Sequence, residues 1–134
     1  MNPVLTVLVA YGSWHIGARV IHRLGAIPCV DVVAQARAAD DAVAQAAVTR
    51  PALVVLDLLL SHGDGLAVLR ALRRGTSPPV VIMTSSARDA WTRRECLRER
   101  AEHFFLLPDE IDALGRAVQE LALSACGRGE AECP

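Results

Sequence analysis

The chain has no lysine: all fourteen basic residues are arginine, set against fifteen acids for a formal charge of -1. So even a balance gives no chain-wide attraction to nucleic acid or anionic lipid, and neither is an expected partner. No acid occurs before Asp31. Aromatic residues are only 4% of the sequence, which leaves the core to aliphatic side chains and makes each aromatic position informative. The longest apolar run, Leu53 to Leu60, is broken by Asp57 and falls far short of the roughly 20 residues a membrane span needs. Met1-Asn2-Pro3 leads straight into a strand-like segment, so no secretion signal is read and a cytoplasmic location is expected. Cys29, Cys96, Cys126 and Cys133 form no CxxC pair and no Cys–His ligand spacing; they are expected to remain thiols. A glycine-rich phosphate loop is also missing, because Tyr11-Gly12-Ser13-Trp14 carries a single glycine.

What is present is a regular alternation of strand-like and helix-like segments within 134 residues, about one domain. Val4 to Ala10 is a short run rich in β-branched residues, followed by Ile16, Val20 and Leu24 at helical spacing up to Gly25. Val30 to Gln35 precedes the Ala-rich stretch Ala39 to Val48, with Asp40 and Asp41 where the helix dipole favours carboxylates and Arg50-Pro51 as a stop. Leu53 to Leu58 is followed by Leu66, Leu69 and Leu72. Val80 to Thr84 is followed by a charge-dense helix over Asp89 to Ala101. Phe104 to Leu107 is followed by Ile111, Leu114, Val118 and Leu121 on one helical face. Five such units with continuous apolar strands predict an α/β fold: a doubly wound, five-stranded parallel sheet with five helices, of flavodoxin-like plan. The domain is expected over residues 1–123, with 124–134 a flexible tail.

In a sheet of this kind function is expected outside the carboxyl ends of the strands. Those ends are Ala10-Tyr11-Gly12, Asp57, Thr84-Ser85-Ser86 and Leu107-Pro108. Asp57 closes an apolar run and precedes Ser61-His62-Gly63-Asp64-Gly65, a loop whose glycines allow tight turning. The block from Pro51 to Leu58, with Asp64-Gly65-Leu66, resembles the PDLVLLDL…DGL block of response-regulator receiver domains. Val80-Val81-Ile82-Met83-Thr84-Ser85 is similar to their VIMLTA strand, and Phe104-Phe105-Leu106-Leu107-Pro108 to DFLVKP. The resemblance covers about residues 4 to 123, and the unit spacing suits receivers attached to LuxR-type effector domains.

This resemblance implies the receiver topology, a role in two-component phosphorelay signalling and no enzyme activity. It makes Asp57 the candidate phosphoacceptor, with Thr84 and Phe104 as conformational switch residues. It also marks departures. The acid pair that helps hold Mg²⁺ in the family falls on Tyr11 and Gly12, or on Ala10 and Tyr11 if the alignment slips by one. The family's lysine falls on Leu107, and the proline of the loop after the phosphoacceptor on Ser61. Magnesium binding is therefore expected to be weak or absent, with no other cofactor. Loss of one preorganised donor typically costs on the order of 10²–10³ in rate, so phosphorylation is expected to be impaired. Arg88 and Arg19 are candidates for a substitute cation.

Other residues carry paired readings. Asp57 also suits a plain loop cap bonded to backbone N–H groups. His62 and Asp64 suit a metal site or a solvated loop, with no third ligand identifiable. Tyr11 and Trp14 are bulky enough to fill the space of the missing metal site or to anchor a partner. On the charge-dense helix, Trp91, Arg94 and Arg98 are candidates for a protein-contact face, since Trp and Arg are enriched in binding hot spots. The expected partner is a histidine kinase or another regulator, with a homodimer as an option. Two alternatives to the impaired receiver stand: a slow but genuine Asp57 phosphoacceptor regulated by a histidine kinase, and a small nucleotide- or flavin-binding domain.

Overall fold

A computed structural model describes residues 4–86 and 90–129, with the side chains of 90, 91 and 126–129 outside the description. Ten elements alternate along the chain: β1 (Leu5–Ala10), α1 (Trp14–Gly25), β2 (Val30–Ala36), α2 (Ala39–Thr49), β3 (Leu53–Asp57), α3 (Gly65–Arg73), β4 (Val80–Ser85), α4 (Ala90–Arg98), β5 (His103–Leu106) and α5 (Ile111–Gly129). The strands form one sheet in the order β2-β1-β3-β4-β5, and every pairing is parallel. The predicted α/β architecture is therefore the observed one. Helix α5 runs on through Gly129, past the point where the sequence suggests a tail.

Alternation along the strands builds two cores. Leu8, Val54, Leu56, Val81 and Met83 face one side with Val68, Leu69 and Leu72 of α3 and Ala42 of α2. Val7, Val9, Leu53, Val55 and Ile82 face the other with Val20 and Leu24 of α1 and Leu114 and Val118 of α5. Central strands buried on both faces read as unbroken apolar runs, which is why β1, β3 and β4 stand out in the sequence.

Local signals set the helix ends. Ser13 caps α1 by accepting from the Ile16 N–H at 3.5 Å. Asp64 caps α3 by accepting from the Ala67 N–H at 2.9 Å, the usual role of such side chains. Arg50 ends α2 in the left-handed region before Pro51.

The thiol expectation needs one correction. Cys29 is disulfide-bonded, which the lack of a CxxC spacing did not signal, because a disulfide joins residues close in space and not in sequence. Cys96 is a free, buried thiol, and Cys126 and Cys133 lie outside the described side chains.

Candidate functional site

Parallel pairing brings all strand ends to one rim, and the order β1-β3-β4 places Asp57 between Tyr11 and Thr84. Asp57 and Thr84 are direct register partners. The Thr84 hydroxyl donates to Asp57 Oδ1 at 3.4 Å. It also lies 2.7 Å from the Tyr11 phenol oxygen. Tyr11 leaves the end of β1 and reaches across β3 to make that contact, its ring buried in the α1–α5 core. Gly17 of α1 makes room for it: a Cβ there would stand 3.2 Å from the Tyr11 Cβ.

Burial controls the acid–base chemistry. Desolvation pushes the Asp57 carboxyl up to about 6, partly offset by hydrogen bonds from Thr84 and the backbone of Leu58 and Leu59. Desolvation raises the Tyr11 phenol far above its ordinary range, with the nearby Asp57 charge adding to the effect, so it keeps its proton.

Next to Tyr11 the chain has no room for a side chain at all. The Gly12 N–H donates to the Leu59 carbonyl at 3.2 Å. A Cβ on residue 12 would lie 2.6 Å from that oxygen. Beside this contact is an open crevice of about 340 Å³ lined by Gly12, Ser13, Ile16, Asp57, Leu59, Leu60, Ser61, Ser86 and Leu107. Asp57 is its one ionisable lining residue among those described. Magnesium demands near-octahedral oxygen ligation, usually anchored by one or two carboxylates. One partly buried carboxylate that holds its proton to about pH 6, facing leucine side chains, is a poor match to that ion. No cluster of three or more His, Cys, Asp or Glu suited to a metal occurs among the described residues.

The remaining candidates divide clearly. Leu107, onto which the resemblance puts the family's lysine, is buried and lines the crevice. Phe104 is buried in the α2–α3 side core, with the Arg93 guanidinium 5.9 Å from its ring centroid. Trp14 parts company with Tyr11: it is 63% exposed and stacks on His15. Arg19 lines a groove with His22 and Ile111 and not the Asp57 crevice, so it is not the substitute cation. Arg88 lies outside the described residues. His62 is exposed and Asp64 is the α3 cap, so they do not converge on a metal site. On α4, Arg94 and Arg98 are exposed and Arg98 pairs with Glu95 at 3.2 Å; the Trp91 side chain is outside the description. Arg37 was missed. It follows β2 and donates to the Gly12 carbonyl at 2.9 Å, pinning the same turn. Its position after a strand end was the available signal.

A parallel doubly wound sheet in the order β2-β1-β3-β4-β5, with a carboxylate at the end of its central strand and a hydroxyl on the adjacent strand, is the architecture of the receiver class. The chain belongs to the response regulator receiver domain family, whose model matches residues 18–119. It is 29% identical over 121 residues to a protein-glutamate methylesterase/protein-glutamine glutaminase of Nocardioides sp. (89% of this chain, 33% of that protein). It is 35% identical over 101 residues to a second of the same description from Myxococcus xanthus (75% of this chain, 29% of that protein). The chain thus spans about a third of the length of these curated relatives. Among solved structures it resembles the receiver domain of NarL from Mycobacterium tuberculosis (TM-score 0.81, 22% identity, 89% of this chain and 96% of that one). It also resembles the response regulator domain of Thermotoga maritima CheB (TM-score 0.78, 24% identity, 92% and 97%). It is a receiver domain of two-component signalling.

Proposed function

We propose that this receiver keeps Asp57 but is impaired in magnesium-dependent phosphorylation, and that it acts in the cytoplasm as a protein-interaction module. The observation that carries the reading is the end of β1, where Tyr11 is turned into the core and Gly12 is pressed against the Leu59 carbonyl, leaving Asp57 as the one acid lining the crevice among the described residues. Aspartyl phosphorylation places about two negative charges at the site and depends on a cation to neutralise them. Leu107 supplies none. The partner is a histidine kinase or another regulator, and the exposed Arg94 and Arg98 of α4 are the contact residues we favour.

The test is intact-protein mass after incubation with acetyl phosphate, with and without Mg²⁺, beside Asp57→Asn. We expect no adduct. A gain of about 80 Da, one phosphoryl group, that requires both Asp57 and Mg²⁺ would remove the reading. The alternative of slow phosphoacceptance draws on the Asp57–Thr84 register pairing, and would appear as partial, metal-independent gain over long incubation.

A further inference from the structure

Two hydroxyl protons and one carboxylate meet at the strand ends, and their bookkeeping has one solution. Ionised Asp57 only accepts, so Thr84 gives its proton to Asp57 and Tyr11 gives its own to Thr84. If Thr84 donated to Tyr11 instead, the buried phenol proton would have no acceptor among the described residues, which costs more than a made bond gains. The two bonds are unequal. At 2.7 Å, buried, the Tyr11–Thr84 contact is at the ideal O–H···O length, whereas 3.4 Å to Asp57 is beyond it. Thr84 is therefore held by Tyr11 and only weakly by Asp57.

Position makes this consequential. Ser85, next to Thr84, pairs with Leu106 of β5 and accepts from the Leu107 N–H at 2.9 Å. Any shift of Thr84 would pass through Ser85 to the end of β5. We propose that Tyr11 is a positioning residue that uncouples Thr84 from Asp57, so that a change at Asp57 is not transmitted to β4 and β5. The idea deepens the reading of an impaired receiver and rests on it: the site is unresponsive as well as hard to modify.

The experiment is a double-mutant cycle between Asp57→Asn and Tyr11→Phe, read by amide hydrogen exchange at Leu106 and Leu107. Tyr11→Phe removes one oxygen and keeps the ring that fills the space above Gly17, so the fold is retained. In the Tyr11 protein, Asp57→Asn should leave exchange at these amides unchanged relative to the core amides of β3, which carry any change in global stability. In the Tyr11→Phe background, the same substitution should alter it by about tenfold, the scale of one buried hydrogen bond. Adding Thr84→Val, which keeps the shape and removes the hydroxyl, should silence that response. Equal effects of Asp57→Asn in both backgrounds, whether large or nil, would overturn the proposal. The mass measurement on the unsubstituted protein reads the impaired-receiver proposal separately, so the two failures are distinguishable.

Discussion

Gly12 and Leu59 bind two loops together: the Gly12 N–H donates to the Leu59 carbonyl at 3.2 Å, with no space for a Cβ between them. Gly12→Asp therefore forces backbone apart. We expect a loss of about 2 kcal/mol by urea denaturation, within the range for overpacking, and no gain of magnesium affinity by calorimetry. An equally stable variant would show that the turn yields easily.

Asp57 gives a pH signature. Its folded-state value near 6 lies above the ordinary 3.8, so the native protein holds the proton more tightly than the unfolded chain. The burden of the charged form is absent below about pH 4 and fully present above pH 6. Converting at ~1.4 kcal/mol per unit and discounting for screening at an open crevice leaves about 1–2 kcal/mol. Asp57→Asn should raise stability by that amount at pH 7.5 and by nothing at pH 3.5. Thermal melts at the two pH values compare them directly, and a stabilisation independent of pH would contradict the assignment.

On the proposed reading, a cation at position 107 should not by itself confer the chemistry. Leu107 is 5% exposed and part of the α1–α5 core cluster, so Leu107→Lys puts an ammonium into apolar surroundings. We expect destabilisation of about 2 kcal/mol or more, and no Mg²⁺-dependent phosphoryl adduct by intact mass. An adduct appearing in this single variant would mean that the acid pair is dispensable here.

Arg73 ties three segments at the opposite end of the sheet. It donates to the Pro79 carbonyl at 3.0 Å and pairs with Glu102 at 2.6 Å, while Glu102 accepts from the Val81 N–H at 2.8 Å. Arg73→Met keeps the stem and removes the charge, leaving Glu102 without its guanidinium. A loss of about 2 kcal/mol is expected, and chemical denaturation with an unchanged m-value would confirm that only stability moved.

Cys96 is fully buried, and desolvation with the nearby Glu95 charge pushes its thiol up to about 11. Since the thiolate is the reactive form, it should resist iodoacetamide at pH 8 until the domain opens. Peptide mapping after timed labelling tells Cys96 from the other cysteines, and rapid labelling in native conditions would refute its burial.

Much of this was legible in the chain itself. The strands β1, β3 and β4 read clearly because Val7 to Val9, Leu53 to Leu56 and Val81 to Met83 are apolar on both faces. The carboxyl ends of parallel strands share one rim, so Asp57, Thr84 and Tyr11 could be put on the same edge from the alternation, while their roles there came only from the resemblance to receivers. The direction taken by each side chain was not legible. Tyr11 and Trp14 are alike in the sequence, yet one is buried against Gly17 and the other is 63% exposed. The role of Arg37 depends on the carbonyl it reaches, and the bond of Cys29 on a neighbour in space, neither of which periodicity encodes.

The hollow above Gly17 restricts what the end of β1 can carry. A carboxylate placed at residue 11 would desert that space and carry a charge into an apolar core, while one placed at residue 12 would collide with Leu59. Either single step leads through a less stable protein. The end of β1 is thus latched shut against a carboxylate: the seated tyrosine ring and the Gly12–Leu59 contact would both have to be rebuilt, in concert with the new acid, before either position could carry one at no cost in stability.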